Sequence, residues 1–469
     1  MTFVKKDVLE VRRFARRLRK KSEVKTMLYT NKDLRKLIIP LVFEQLLAIL
    51  VGMVDTVMIA GVGEAAVSGV SLVDTVNILI INITAALATG GAVVAGHFLG
   101  QKDSENASKS AWQLLLFSVW LSLLVTIVFI AAHKPLLSGM FGQVEEEVMS
   151  SAATYLVITA ISICPLAIYN SCAALLRAMN DSKTTMIISI IMNLINVIGN
   201  AILIYGAKIG VAGAAIATTV SRIAAAVIIM VLMFNKDKMI NFCGQVTLKL
   251  NFGLIKKILY IGIPNSLENS LFQLGKILLL SLISTLGTYA IAANAVCNTL
   301  ASFNMLPGIA VNMALLSVAS MCVGAGDYKQ ARYYTKKLMM VAIAATAVLS
   351  IIFIVFAPFI LKIYQLSPET EALAVDVIRW HALMGILFWV PSFALPNTLR
   401  AAGDVVWTMV IAIGSMWIFR IGFAYLFSYY TDLGLIGVWI AMTIDWVFRS
   451  LCYMMRYRGN KWEQYKAKM

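Results

Sequence analysis

The chain contains the same unit twice. Set against itself with an offset of 224 residues, Pro40 and Glu44 fall on Pro264 and Glu268, Gly63 on Gly287, Gly100 on Gly324, Asp103 on Asp327 and Ala107 on Ala331. One residue is then lost, and Leu176-Arg177 meets Leu399-Arg400, Asp181 meets Asp404 and Thr185-Met186 meets Thr408-Met409. The 224 offset returns with Gly210, Gly213, Ile216-Ala217 and Thr219 against Gly434, Gly437, Ile440-Ala441 and Thr443. Each unit is almost wholly apolar. A duplicated apolar bundle is the usual architecture of a secondary transporter, with the substrate between the halves.

Composition agrees. Hydrophobic residues make up 60% of the chain and charged residues only 14%, where a soluble domain carries about a quarter charged. Apolar stretches of about 20 residues are long enough to cross a bilayer as helices. The sequence predicts twelve of them, six per half, near 35–60, 66–98, 110–132, 149–176, 184–205, 210–234, 254–286, 289–322, 336–357, 372–399, 405–429 and 434–455. The runs are continuous and do not alternate, which excludes a membrane β-barrel. The expected fold is an all-α integral membrane protein with twelve spans in two six-helix lobes. An even number of spans per lobe relates the lobes by an axis along the membrane normal. The domain boundaries read as 1–33, a basic segment; 34–234, the N-lobe; 235–253, a linker; 254–455, the C-lobe; and 456–469, a basic tail.

Of the 40 Lys and Arg, 33 fall in the two termini and the loops on the same side as them; only Lys134, Lys208 and Lys362 fall in loops on the other side. The positive-inside bias puts both termini and the linker in the cytoplasm of a plasma-membrane protein. The charge of +16 follows from this topology, so no nucleic-acid partner is expected. In the basic segment, Val8, Val11, Phe14, Ala15 and Leu18 share one helical face among arginines, which suggests an amphipathic helix on anionic lipid; a solvated basic tail is the alternative. No cleavable signal peptide is expected. Six cysteines and three histidines form no metal spacing, and no catalytic constellation or phosphate-binding glycine loop is present. No cofactor is expected, and a monomer is.

Function then rests on polar residues within the spans, where ionisable groups are costly. The first span carries Glu44 and Asp55, eleven residues or roughly 16 Å apart on one face. The fifth carries Asn193, Asn196 and Asn200 as a stripe, and the sixth Thr218 and Thr219. The seventh reads Asn265, Glu268, Asn269, Gln273, Lys276. Lys276 lies about 12 Å along the helix from Glu268 and needs another acidic partner or a cavity. Asn294 and Asn298 follow in the eighth span, Asn298 being the repeat mate of Asp74 in the second. Arg420 and Asp445 read as a structural pair. Amides and hydroxyls in these positions act as packing glue or as ligands for a proton or small hard cation.

These residues resemble a known family. Pro40-x14-Asp55-Thr56 followed by Gly61 and Gly63 is similar to the opening motif of the multidrug and toxic compound extrusion (MATE) family. So are Gly90-Gly91 with Leu99-Gly100, Leu176-Arg177-Ala178 with Asp181, Asn196-x3-Asn200 before Ile204-Tyr205-Gly206, and the run from Gly210 to Thr218. The second half repeats Leu399-Arg400-Ala401-Ala402-Gly403-Asp404. The resemblance covers residues 34 to about 455. It implies two lobes around a V-shaped cavity, and exchange of an inward proton or sodium ion for an outward, lipophilic and mostly cationic compound. It also implies an ion site at Asp55, Asn196, Asn200 and Thr218, with any sodium held at Asp55. Asn200 stands where an aspartate is often found, so Asp55 carries the charge alone. A second branch couples through acids of the seventh and tenth spans; here Trp389 and Pro391 occupy the region of the latter, and Glu268 lies about one turn early. Glu44, Asp74 and Glu268 are the residues expected to attract organic cations. Asn269, Gln273, Lys276, Asn294 and Asn298 complete the expected cavity, with Met and aromatic side chains as adaptable walls. The alternatives are a lipid-linked saccharide flippase, whose cavity should be strongly basic, an integral-membrane enzyme, and a channel.

The topology has a direct check. Single cysteines replacing Lys249 and Glu146 are expected to react with impermeant reagents from opposite sides of the membrane; labelling from the same side would overturn the assignment.

Overall fold

The computed structural model describes residues 27–468 except Gln143, so the amphipathic helix expected near Val8–Leu18 lies outside the described residues. The described chain forms twelve long helical units: α1 Asn31–Ala60, α2 Glu64–Gly100, α3 Ser104–Ala131, α4 in two segments Glu146–Ile161 and Ile163–Ala178, α5 Ser182–Gly206, α6 Gly210–Met233, α7 Phe252–Ser284, α8 Thr288–Gly324, α9 Tyr328–Lys362, α10 Pro368–Ala401, α11 Val405–Tyr430 and α12 Gly434–Arg458. Ten are individually long and apolar enough to cross a membrane, and the two segments of α4 make an eleventh. The twelfth is α7, at 33 residues long enough to span. It is more polar because it carries Lys256, Lys257, Glu268 and Lys276. The protein is thus an all-α membrane protein of two homologous six-helix lobes.

The repeat is visible in how the helices start. Asp103 and its repeat mate Asp327 cap α3 and α9 in the same way, each carboxylate accepting from a backbone amide three residues on. Gly63 and Gly287 precede α2 and α8 with φ of 141° and 106°, a backbone region open to glycine at little cost. α1 begins with a capping box between Thr30 and Asp33.

Breaks in the helices have local causes. α4 bends by 48° at Ser162. Pro165 supplies no amide to the Ile161 carbonyl, and Ser162 Oγ accepts from Arg222 at 2.7 Å. π-helical turns interrupt α5 at Ala201–Gly206, α10 at Gly385–Trp389 and α11 at Met416–Gly422. Such turns mark functional positions in many helices. Here one directly follows Asn200, one ends at Trp389 and one contains Arg420.

The lobes are joined at one end only. At the end where the chain termini lie, one apolar cluster packs Leu34, Leu37 and Leu41 of α1 against Leu315 and Val318 of α8. A second packs Val93 and Val94 of α2 with Ile258 and Ile261 of α7. At the opposite end, one cluster is entirely N-lobe and another entirely C-lobe. The joint itself is a backbone crossing of α2 and α8. A Cβ on Gly100 would overlap the Met321 carbonyl, and one on its repeat mate Gly324 would overlap the His97 backbone. His97 Nε2 then bridges to the Ala401 carbonyl of the other lobe at 2.6 Å.

Segments read as linker and tail are docked. Phe242 and Ile240 are fully buried in the α2–α4 core, and Gln113 accepts from the Asn251 amide at 2.8 Å and donates to the Lys249 carbonyl. At the other terminus Trp462 is fully buried, stacked on Tyr457 with centroids 5.6 Å apart. The stretch 133–148, expected as a loop, contains a short helix His133–Phe141.

Gly324→Ala adds one methyl group at the crossing and is expected to destabilise the protein by about 1–3 kcal/mol through overpacking. Gly414→Ala, in a helix with open space around it, is expected to be neutral or slightly stabilising. Thermal unfolding in detergent compares the two; equal melting temperatures would remove the crossing from its structural role.

Candidate functional site: two repeat-related cavities of opposite charge

The N-lobe encloses a pocket of about 140 Å³ between α1, α2, α4, α5 and α6, lined by Gly52, Asp55, Asp74, Tyr155, Asn200 and Thr218 among others. Asn196 and Asn200 are one helical turn apart and so share a face. Asn200 Nδ2 donates to Asp55 Oδ1 at 2.8 Å. With the Asn196 amide turned as the surrounding donors and acceptors require, its nitrogen donates to both Asp55 oxygens at 2.8 and 3.1 Å, and its oxygen accepts from Thr218 Oγ1 at 3.2 Å. Neutral donors therefore hold the Asp55 carboxylate, and among the described residues no lysine or arginine forms a salt bridge with it. Asn200 Oδ1 is buried and accepts no hydrogen bond. Asp74 faces the same space, and Arg222 interacts with both carboxylates from α6. The pocket thus combines two carboxylates, a hydroxyl and an unused amide oxygen, a donor set suited to a proton or a small hard cation.

The structure brings together Asp55, Asn196, Asn200 and Thr218. It also adds Asp74 and Tyr155 to their pocket. Glu44 and Glu268 lie elsewhere, outside the lining of either cavity. Glu44 accepts from Thr185 Oγ1 at 3.0 Å and pairs with Arg177 at 3.4 Å. Its repeat mate Glu268 takes Arg400 Nη2 at 2.6 Å on both oxygens. Arg177 and Arg400 are themselves repeat mates, so each lobe carries the same Glu–Arg tie between its first and fourth helices. Asn269 and Gln273 also lie outside both linings.

The C-lobe holds a larger cavity of about 530 Å³. Lys276 and Phe272 of α7, Asn294 and Asn298 of α8, His381 and Trp389 of α10, Arg420 of α11, and Trp439 and Trp446 of α12 line it. This is the repeat mate of the N-lobe pocket, and its charge is reversed. The 224 offset carries Gly52 onto Lys276, Asp55 onto Leu279, Asp74 onto Asn298 and Thr218 onto Met442, and all eight line their respective cavities. Both N-lobe acids have become neutral, and a lysine has replaced a glycine. Asp445 sits behind the wall, fully buried, between Arg420 at 3.0 Å and Arg449 at 2.9 Å. The three cations Lys276, Arg420 and Arg449 all lie over the Phe272 ring, at 5.3, 5.0 and 5.6 Å. Sequence reading paired Arg420 with Asp445 and missed Arg449, His381 and the tryptophans. The offset that placed Asn298 against Asp74 would have reached Lys276 and Gly52 as well.

These features define a membrane transporter and not an enzyme: two pseudosymmetric helical lobes, joined at one end, each with an internal cavity. The MatE family model matches twice, over residues 40–202 and 264–426, two copies set 224 residues apart like the internal repeat. The chain belongs to the MatE, or MATE, family. Among its relatives, the probable multidrug resistance protein NorM of Thermotoga maritima is 25% identical over 438 residues, covering 92% of this chain and 93% of NorM. The uncharacterized transporter YisQ of Bacillus subtilis is 27% identical over 430 residues, covering 91% of this chain and 93% of YisQ. A crystal structure of MATE in the bent conformation superposes with a TM-score of 0.85 at 22% identity, covering 93% of this chain and 96% of that one.

Asp445→Ala leaves two buried guanidiniums without their shared carboxylate and is expected to cost about 3–5 kcal/mol of stability. A detergent melting curve unchanged by this substitution would show that the triad does not hold α11 to α12.

Proposed function

We propose that this protein is a secondary-active multidrug efflux antiporter of the plasma membrane, exchanging an inward proton or sodium ion at Asp55 for an outward amphipathic compound. The observation that carries the reading is the Asp55 carboxylate, bound only by neutral amides beside an unpaired amide oxygen. Such a carboxylate gains when a cation arrives, because its direct partners are neutral and Arg222 acts on it only from beyond salt-bridge distance.

The positive-inside bias assigns the joined end of the lobes, with both termini, to the cytoplasm. The form described here is then open to the outside. In that state the ion enters the N-lobe pocket and takes the lone pairs of Asp55 and Asn200 Oδ1. The amides of Asn196 and Asn200 must then release part of their bonds to Asp55, which changes how α1 packs on α5. An ion carried through the full membrane field brings about 2.3 kcal/mol per 100 mV.

Lipophilic cations are the substrate class that the family resemblance implies. A pocket of about 140 Å³ admits a charged head and not a whole drug-sized molecule, which needs roughly 300–1,000 Å³. A cationic head at Asp55 and Asp74 would compete with the ion for the same carboxylates. That competition couples the two fluxes: the ion displaces the drug outside, and the drug displaces the ion inside.

Vesicles containing the purified protein, given pH and sodium gradients separately, test this. Efflux of a cationic dye is expected under one gradient, and Asp55→Asn is expected to abolish it while leaving the melting temperature within a few degrees of wild type. Wild-type rates in Asp55→Asn would remove Asp55 from coupling.

A further inference from the structure

We propose that the C-lobe cavity is a separate binding site for amphipathic organic anions, in which a carboxylate head sits between Lys276 and Arg420 and an aromatic body lies on the tryptophan walls. The site is distinct from the Asp55 pocket and takes a class of compound that pocket would repel.

Size is the first ground. At about 530 Å³ the cavity falls in the range of pockets that enclose drug-sized ligands, whereas the N-lobe pocket does not.

Charge is the second. Lys276 and Arg420 line the cavity, and among the described residues no aspartate or glutamate does. Asp445 is already divided between Arg420 and Arg449. Among the described residues Lys276 has no carboxylate within 4.0 Å, and its ammonium lies over the Phe272 face at 5.3 Å. Arg420 uses Nε and Nη2 on Asp445, which leaves Nη1 for another acceptor. An unpaired lysine is costly within a membrane protein unless it faces a cavity, and a cavity with this surplus favours an anion.

Unused hydrogen-bonding groups are the third ground, independent of charge. Trp446 is 2% exposed and its Nε1, which can only donate, has no acceptor among the described residues. His381 is 3% exposed and its Nδ1 has no partner either. The two rings meet edge to face at 5.3 Å in the cavity wall. Buried polar groups left unpaired are rare, and each calls for an explanation such as a ligand. The wall around them is aromatic, which gives a flat apolar body a surface without demanding one shape.

Calorimetric titration measures binding directly and needs no ion gradient, so its outcome is separate from that of the Asp55 test. The protein is placed in nanodiscs of phosphatidylcholine and titrated with naphthalene-2-carboxylate, with the matching amide and with naphthalen-2-ylmethylammonium. The carboxylate is expected to bind at least tenfold more tightly than either analogue. Lys276→Ala is expected to weaken it tenfold or more, with Lys276→Arg restoring most of the affinity. Trp446→Phe keeps an aromatic wall while removing the Nε1 donor and shortening the ring system; a loss of about threefold or more is expected. Lys362→Ala, at the far end of α9, is expected to bind as wild type. Melting temperatures and the Lys276→Arg rescue separate a binding defect from misfolding. Equal affinity for the carboxylate and the ammonium compound, or undiminished binding in Lys276→Ala, would overturn the proposal. So would loss of carboxylate binding in nanodiscs containing phosphatidylglycerol, together with anionic lipid that copurifies with wild type and is lost from Lys276→Ala, since the cavity would then be a lipid-headgroup site.

Discussion

The crossing of α2 and α8 sets the geometry of the molecule. At Gly100 and Gly324 the two helices approach until backbone meets backbone, closer than any side chain would permit. Small residues at such crossings give dispersion contacts that larger ones would prevent, and these contacts drive helix association where lipid removes the hydrophobic incentive. The two glycines are repeat mates, so the contact lies on the pseudo-two-fold axis. The His97 bridge to Ala401 and the clusters of α1 with α8 and α2 with α7 gather around that point. Everything toward the opposite end of the helices belongs to one lobe or the other.

Duplication and divergence stand side by side in one chain. Both lobes retain the Glu–Arg tie, Glu44 with Arg177 and Glu268 with Arg400, because each unit must hold its first helix to its fourth. The cavities have separated chemically. The N-lobe pocket is small, oxygen-rich and acidic; the C-lobe cavity is large, aromatic and basic. In the C-lobe the buried Asp445 triad supports the basic wall, because a lone carboxylate between two guanidiniums neutralises only one of them.

π-helical turns connect the local chain to these sites. Each inserts one residue into a helix and rotates the residues beyond it. The turn in α11 contains Arg420, the one in α10 ends at Trp389, and the one in α5 follows Asn200. A regular helix through any of these stretches would turn the adjoining residues on to a different face.

Length and apolarity of the segments, the internal offset and the twelve spans were legible in the sequence. These follow from local rules: a bilayer demands a run of apolar residues, and a duplication leaves the same residues at a fixed offset. The Asp55, Asn196, Asn200 and Thr218 group came only from the family resemblance; spacing alone put Asn196 and Asn200 on one face and did not show which helices they meet. The partners of Glu44 and Glu268 were not, since periodicity tells which face a residue occupies and not which helix stands opposite. The same gap hid the unpaired nitrogens of His381 and Trp446 and the burial of Phe242 and Trp462 in segments that read as polar connectors. Those are decided by contacts between residues tens to hundreds of positions apart, and only the packed tertiary structure brings them within reach of one another.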